Sequence, residues 1–81
     1  MIDVKIATNQ AINYLKDIYK EGKSIRLEEV ELSEDGKFWL ITLSFAFEDV
    51  LFASPQRVYK LLKVRSDDGQ VMAMKIRQIN D

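Results

Sequence analysis

Cysteine and histidine are both missing from the 81 residues of this chain. Without cysteine there is no disulfide, no thiolate nucleophile and no thiolate metal site. Without histidine the commonest general base and the commonest zinc ligand are gone as well. Most hydrolytic and zinc chemistry is thereby argued against, and stability has to come from packing. Glycine occurs three times, singly at Gly22, Gly36 and Gly69, so no glycine-rich loop exists to cradle a phosphate. Proline occurs once, at Pro55. Neither sign of charge dominates: 12 Lys+Arg against 13 Asp+Glu leave a net charge of -1, and no overall field draws in nucleic acid or an anionic membrane. No stretch approaches the about 18 apolar residues of a spanning helix. The start, Met1-Ile2-Asp3-Val4-Lys5-Ile6, lacks the basic segment and apolar run of a leader. A cytoplasmic location is expected, unless a signal peptide has been removed. No cofactor, metal, nucleic acid or membrane is expected as a partner.

What is present is apolar patterning in a chain of single-domain size, residues 1–81. Val4, Ala7, Ala11, Ile12, Leu15, Ile18 and Tyr19 recur at three- and four-residue steps, which predicts an amphipathic helix over about 4–21. Asp3 is the expected N-cap, with Thr8 as the alternative, and Gly22 the expected stop. Two similar turns, Ser33-Glu34-Asp35-Gly36-Lys37 and Ser66-Asp67-Asp68-Gly69-Gln70, separate apolar runs and predict two hairpins in series. Strands are expected at about 25–33, 37–47, 58–65 and 70–79. The first changes phase between Leu27 and Val30, which predicts a β-bulge near Glu28-Glu29. The second alternates most strongly, Trp39, Ile41, Leu43, Phe45 and Phe47 against Phe38, Leu40, Thr42, Ser44 and Ala46. Glu48–Arg57, with Pro55, reads as the connection between hairpins. The expected architecture is α+β: one N-terminal helix packed on a four-stranded antiparallel β-meander.

A single helix covers one face of such a sheet. The other is expected to carry Phe38, Leu40, Thr42, Ser44, Val71, Ala73 and Leu62, a surface more apolar than a wet face requires. The apolar run Val50, Leu51 and Phe52 sits beside it in the connection. Phe38, Leu40, Val50, Leu51, Phe52 and Val71 are therefore the candidate interaction residues. They belong to a non-enzymatic module that meets a protein partner or, as a homodimer through the open face, a second copy of itself. A small-ligand site between helix and sheet, near Tyr14, Tyr19, Trp39 and Phe45, is the alternative.

Other constellations carry less. Glu28, Glu29, Glu31, Glu34 and Asp35 follow a strand and its turn, where carboxylates face water, and nothing marks two of them as a desolvated catalytic pair. Ser66-Asp67-Asp68-Gly69 is too short for a calcium loop and becomes apolar at Val71. Arg57, Lys60, Lys63 and Arg65 around Tyr59 have the interleaving of a single-strand binder, but with acidic residues as numerous overall they read first as the polar face of a half-buried strand.

The order helix, Leu27-Glu28-Glu29-Val30-Glu31-Leu32, Asp35-Gly36, Phe38-Trp39-Leu40-Ile41-Thr42-Leu43 and later Tyr59-Lys60 to Gly69-Gln70-Val71 resembles small bacterial PepSY-like domains and the wider cystatin-like fold. The resemblance runs from about Ala7 to Ile76. It implies a helix laid against an antiparallel sheet and a role in modulating a partner protein, often a peptidase. Gln70-Val71-Met72-Ala73 departs from the Gln-x-Val-x-Gly loop of cystatin-type inhibitors, so no inhibitory site is carried over.

Overall fold

Asp3 starts the helix: its backbone is extended and its carboxylate accepts the Ile6 N–H at 2.9 Å, satisfying one of the donors a helix leaves unpaired. In the computed structural model, which describes residues 1–20, 23–49 and 54–77, helix α1 spans Val4–Ile18. Its buried positions are Ala7, Ala11 and Leu15, one residue per turn. The two alanines let the helix backbone approach the sheet closely, and Leu15 fills the space at its C-terminal end. The helix stops three residues short of the sequence expectation. Tyr19 leaves helical geometry and lays its ring against Phe45, centroids 5.0 Å apart, so a tertiary contact ends the helix rather than Gly22, which lies outside the described residues.

Four strands follow: β1 (Lys23–Leu32), β2 (Phe38–Asp49), β3 (Ser54–Arg65) and β4 (Val71–Ile76). They form one antiparallel sheet in the order β1-β2-β3-β4, the α+β meander that the patterning predicts. The register of β1 slips where Leu27 pairs with Leu43 and Glu29 with Thr42, placing the expected bulge at Glu28. A second slip between Lys23 and Arg26 contains Ser24, at φ +55°. The central hairpin is longer than expected. β2 and β3 pair without interruption from Phe38↔Arg65 to Asp49↔Ser54, so Glu48–Arg57 is mostly strand. Pro55 stands opposite Glu48 in this ladder, so the proline does not end the strand. Val50, Leu51 and Phe52 lie outside the described residues, as do 78–81.

The core lies between α1 and the middle strands: Ala7, Ala11, Leu15, Ile41, Leu43, Phe45, Leu62 and Val64, all at most 2% exposed. Burying each larger member contributes about 2 kcal/mol. The two Asp-Gly turns meet at one end of this core. Ser66, 6% exposed, donates its N–H to Lys37 O at 2.9 Å and its hydroxyl to Gly36 O at 2.7 Å, and accepts the Ile2 N–H on its carbonyl at 2.7 Å. Trp39 Nε1 donates to Ile2 O at 3.2 Å. The start of the chain is thus clamped between both hairpins. Gly36 and Gly69 both adopt positive φ, +73° and +79°. A Cβ at Gly36 would meet nothing within 4 Å, whereas one at Gly69 would stand 3.1 Å from Ile2 Cδ1. Gly36→Ala is accordingly expected to cost about 1 kcal/mol for backbone strain alone, and Gly69→Ala more, about 2 kcal/mol, by urea unfolding. Equal costs would show that the Ile2 contact at Gly69 yields freely.

Candidate functional site

Alternation along β2 divides the sheet into two faces. Trp39, Ile41, Leu43 and Phe45 point to the helix with their cross-strand partners Val64, Leu62, Lys60 and Val58. Phe38, Leu40, Thr42 and Ser44 point the other way, with Arg65, Lys63, Leu61 and Tyr59 beside them on β3. Phe38 and Leu40 are therefore on the open face, half-buried. Two residues expected there are not. Leu62 is a core residue at 0% exposure, and Leu61 takes its place. Val71 packs against the helix-side core, because the β3–β4 register slips between Lys63↔Ala73 and Val64↔Val71. That bulge at Met72 reverses the phase of the strand's first residue, so Val71 joins Met74 and Ile76 on the helix side. Of the six candidate interaction residues, Phe38 and Leu40 share the open face, Val71 does not, and Val50, Leu51 and Phe52 lie outside the described residues.

The centre of the open face differs from the apolar surface expected of it. Thr42 and Ser44 are 1% and 0% exposed although no helix lies over them. Long side chains from β1, from β3 and from the residue after β4 cover them. Arg77, just past β4, reaches over β3 to donate through Nη1 to Thr42 Oγ1, where it also pairs with Glu29 Oε1 from β1. Arg57 on β3 donates to Ser44 Oγ at 2.8 Å and to the Ser24 carbonyl at 3.0 Å, while the Ser44 hydroxyl donates to Glu28 Oε2 at 3.1 Å. Two clasps thus cross β2: Arg77–Thr42–Glu29 ties the end of β4 to β1, and Arg57–Ser44–Glu28 ties β3 to β1. They also satisfy hydroxyls that would otherwise be buried without partners. The positive φ of Ser24 belongs to this arrangement, since the irregular stretch that contains it carries the carbonyl Arg57 binds.

Toward the turns the face becomes apolar. Phe38 is overlain by the Lys63 ammonium, 4.1 Å from its ring centroid. Leu40 and Leu61 border a shallow hollow with Glu29, Glu31 and Arg77, and Met72 is half exposed beside Phe38. Across its Leu40 and Thr42 rows the face is graded in charge, acidic on β1 through Glu29 and Glu31 and basic over β3 and β4 through Lys63 and Lys75, while the Ser44 row carries Arg26 on β1, paired with Glu28 at 3.9 Å.

Sequence reasoning missed the clasping roles of Arg57 and Arg77 and the place of Leu61. Adjacent Leu61 and Leu62 make the phase of β3 ambiguous, and an arginine's reach across two strands leaves no local pattern. Of the four residues of the alternative ligand site, the structure brings Tyr19 and Phe45 together, rings 5.0 Å apart. Phe45 is buried in the core under Tyr19, Trp39 is bonded to Ile2, and Tyr14 turns outward into a shallow polar groove with Gln10, Asn13 and Gln70. Among the described residues no three acidic side chains gather to hold a metal ion, and no helix is long and apolar enough to cross a membrane.

The shifted ionisations belong to the turns that border the face. Asp35 is held below the usual carboxylate range by a 2.6 Å hydrogen bond from the Ser33 hydroxyl and a 3.0 Å bond from the Lys37 N–H. Asp67 is lowered by the Arg65 guanidinium, which donates to it at 2.9 Å and 3.2 Å and is itself raised by that pairing. No family model, curated protein or solved structure matches the chain, and the likeness to PepSY-like domains stands on the residues quoted for it alone.

Two predictions follow from these contacts. Arg77→Ala is expected to destabilise by about 1–2 kcal/mol in urea unfolding. In a double-mutant cycle with Thr42→Val the pair should couple by about 1 kcal/mol; additive effects would show that guanidinium and hydroxyl act independently. For the turn carboxylates, a lowered folded pKa means stability that is complete above the ordinary carboxylate range, about pH 4, and is lost as pH falls through the lower folded values. Asp35→Asn, which keeps the acceptor, should flatten the loss of the unfolding midpoint between pH 4 and pH 2. An unchanged slope would assign acid sensitivity to other groups.

Proposed function

We propose that this protein is a non-enzymatic interaction module that presents the open face of its sheet to a protein surface. The observation that carries the reading is Leu40 and Leu61, half-buried on the face turned away from α1, between Glu29 and Glu31 on β1 and Lys63 and Lys75 on β3 and β4, with half-exposed Met72 beside Phe38. An apolar centre with a charged rim is what a docking surface needs: the centre loses water on association and the rim selects the partner. The composition supports the non-enzymatic part, since neither histidine nor cysteine is available as general base or nucleophile. Modulation of a partner is also what the PepSY-like resemblance implies.

The test compares the immobilised native chain with Leu40→Ser and, as a control on the opposite layer, Ile6→Ser, whose parent side chain is 48% exposed on the outside of α1. The native chain and Ile6→Ser should retain the same bound protein, foreign or a second copy, and Leu40→Ser should lose it by more than tenfold while keeping its circular dichroism spectrum. Binding unaffected by Leu40→Ser but abolished by Ile6→Ser would move the interaction surface to the helix and overturn the reading.

A further inference from the structure

The arrangement of charge on the open face identifies which partner suits it. Arg57 and Arg77 are turned inward and committed to the clasps. The charges that remain outside any ion pair among the described residues are Glu31 on β1 and Lys63 and Lys75 on β3 and β4. These sit in adjacent rows across the sheet. Glu31, Leu40, Lys63 and Ala73 are cross-strand partners in one row; Glu29, Thr42, Leu61 and Lys75 in the next. Both rows run from acid at the β1 edge, through apolar or hydroxyl side chains, to the half of the sheet that carries lysine, whereas the following row, Arg26, Ser44, Tyr59 and Arg77, has arginine at both ends.

The charges of the Glu31 and Glu29 rows are complementary to themselves under a two-fold axis parallel to the strands and not under one perpendicular to them. Two sheets stacked face to face about a two-fold axis perpendicular to the strands set β1 over β1 and bring Glu31 against Glu31. A two-fold axis parallel to the strands exchanges left and right while holding each row opposite its own copy. It sets Glu31 of each copy over the lysine-bearing half of the other sheet, twice per dimer, with Leu40 over the aliphatic stem of Lys63 and Leu61 over Thr42. We propose that the occupant of the open face is a second copy of this chain, related by a two-fold axis parallel to the strands, with Glu31 of each copy facing Lys63 and Lys75 of the other. This rests on the reading of the open face as an interaction surface and supplies its partner. Stacked sheets with strands aligned in this way pack about 10 Å apart, as in β-sandwiches. The available face is roughly 500 Å² in projection, from strands about 4.8 Å apart and about 3.3 Å per residue. Side-chain relief brings it toward the about 800 Å² per partner of a standard interface. The dimer is therefore small and its formation concentration-dependent, with opposite charges at its margin fixing the axis.

Sedimentation equilibrium on the native chain, Glu31→Lys, Lys75→Glu, their equimolar mixture and Leu40→Ser tests this. Glu31 and Lys75 are exposed and outside the clasps, so both reversals should fold. The native chain should reach dimer mass by about 1 mM, the weak end of the affinity scale. Each reversal should raise Kd about tenfold, because every substitution acts at two symmetric places. The mixture should recover heterodimer at or below the native Kd, and added salt should weaken the native dimer. A dimer lost in Leu40→Ser but indifferent to both charge reversals would overturn the axis while leaving the open face as the interaction surface. A dimer indifferent to all three variants would overturn both. A native chain that is monomeric throughout would overturn self-association. If that monomer bound oligothymidylate, and lost it in Lys75→Glu, the basic half would be a nucleic-acid surface instead.

Discussion

One helix has to stabilise four strands, and the rest of the structure follows from that mismatch. Fifteen residues make a rod about 22 Å long and about 10 Å wide, enough to cover two strands spaced about 4.8 Å apart. Ala7 and Ala11 seat it over the sheet so that Ile41, Leu43, Phe45, Leu62 and Val64, all from the middle strands, become the buried layer. The outer strands receive less: Leu27 and Leu32 on β1 and Ile76 at the end of β4 stay between 38% and 75% exposed although each is apolar. β1 and β4 therefore need other means of attachment, and the protein supplies two.

One is the junction of the turns. Ser66, in the β3–β4 turn, donates its N–H and hydroxyl to the β1–β2 turn and accepts the Ile2 N–H on its carbonyl, so both turns and the start of the chain are joined at one residue. Gly69 packs against Ile2 at the same point, and the turn carboxylates Asp35 and Asp67 hold each loop in shape. The other is the pair of arginine clasps. Arg77 and Arg57 run across the uncovered face to hydroxyls on β2, and Glu29 and Glu28 come from β1 to meet them. A charged group contributes little by ion pairing at a half-exposed site, where pairs are worth about 0–1 kcal/mol. The larger consequence is that Thr42 and Ser44 can be buried with partners, so that β2 is shielded from water on both faces without a second layer of helix.

This division explains what the sequence discloses and what it hides. The helix face, the Asp3 cap, the bulge at Glu28 and the alternation of β2 are consequences of neighbouring residues, and each is readable over a window of about ten. The phase of β3 and β4 is not. Leu61-Leu62 allows either parity, and in Val71-Met72-Ala73-Met74 both parities are apolar, so only the pairing with β3 determines that Met72 is the extra residue and that Val71 faces the helix. The early stop of α1 has the same origin, since Tyr19 leaves the helix to reach Phe45, distant in sequence. Pro55 carried the signal of a loop, but it pairs with Glu48 within β3. For the candidate site, Phe38 and Leu40 were legible from the parity of β2; the clasps were not, because they join residues 13 to 35 positions apart through side chains long enough to cross strands.

The clasps also decide what the open face can recognise. Had Thr42 and Ser44 been valine, β2 would be apolar on both sides and any greasy surface could settle on it, the condition under which uncovered sheets aggregate. With two hydroxyls and two arginines engaged at its centre, the face keeps only a small apolar area around Leu40 and Leu61, too little to hold a partner without help from its margins. Affinity is thereby made conditional on matching an acidic edge and a basic edge at a fixed separation. A surface that is apolar in the middle and opposite in sign at its two sides discriminates by orientation as well as by composition. Its own copy, turned about the strand direction, meets that condition on both sides at once.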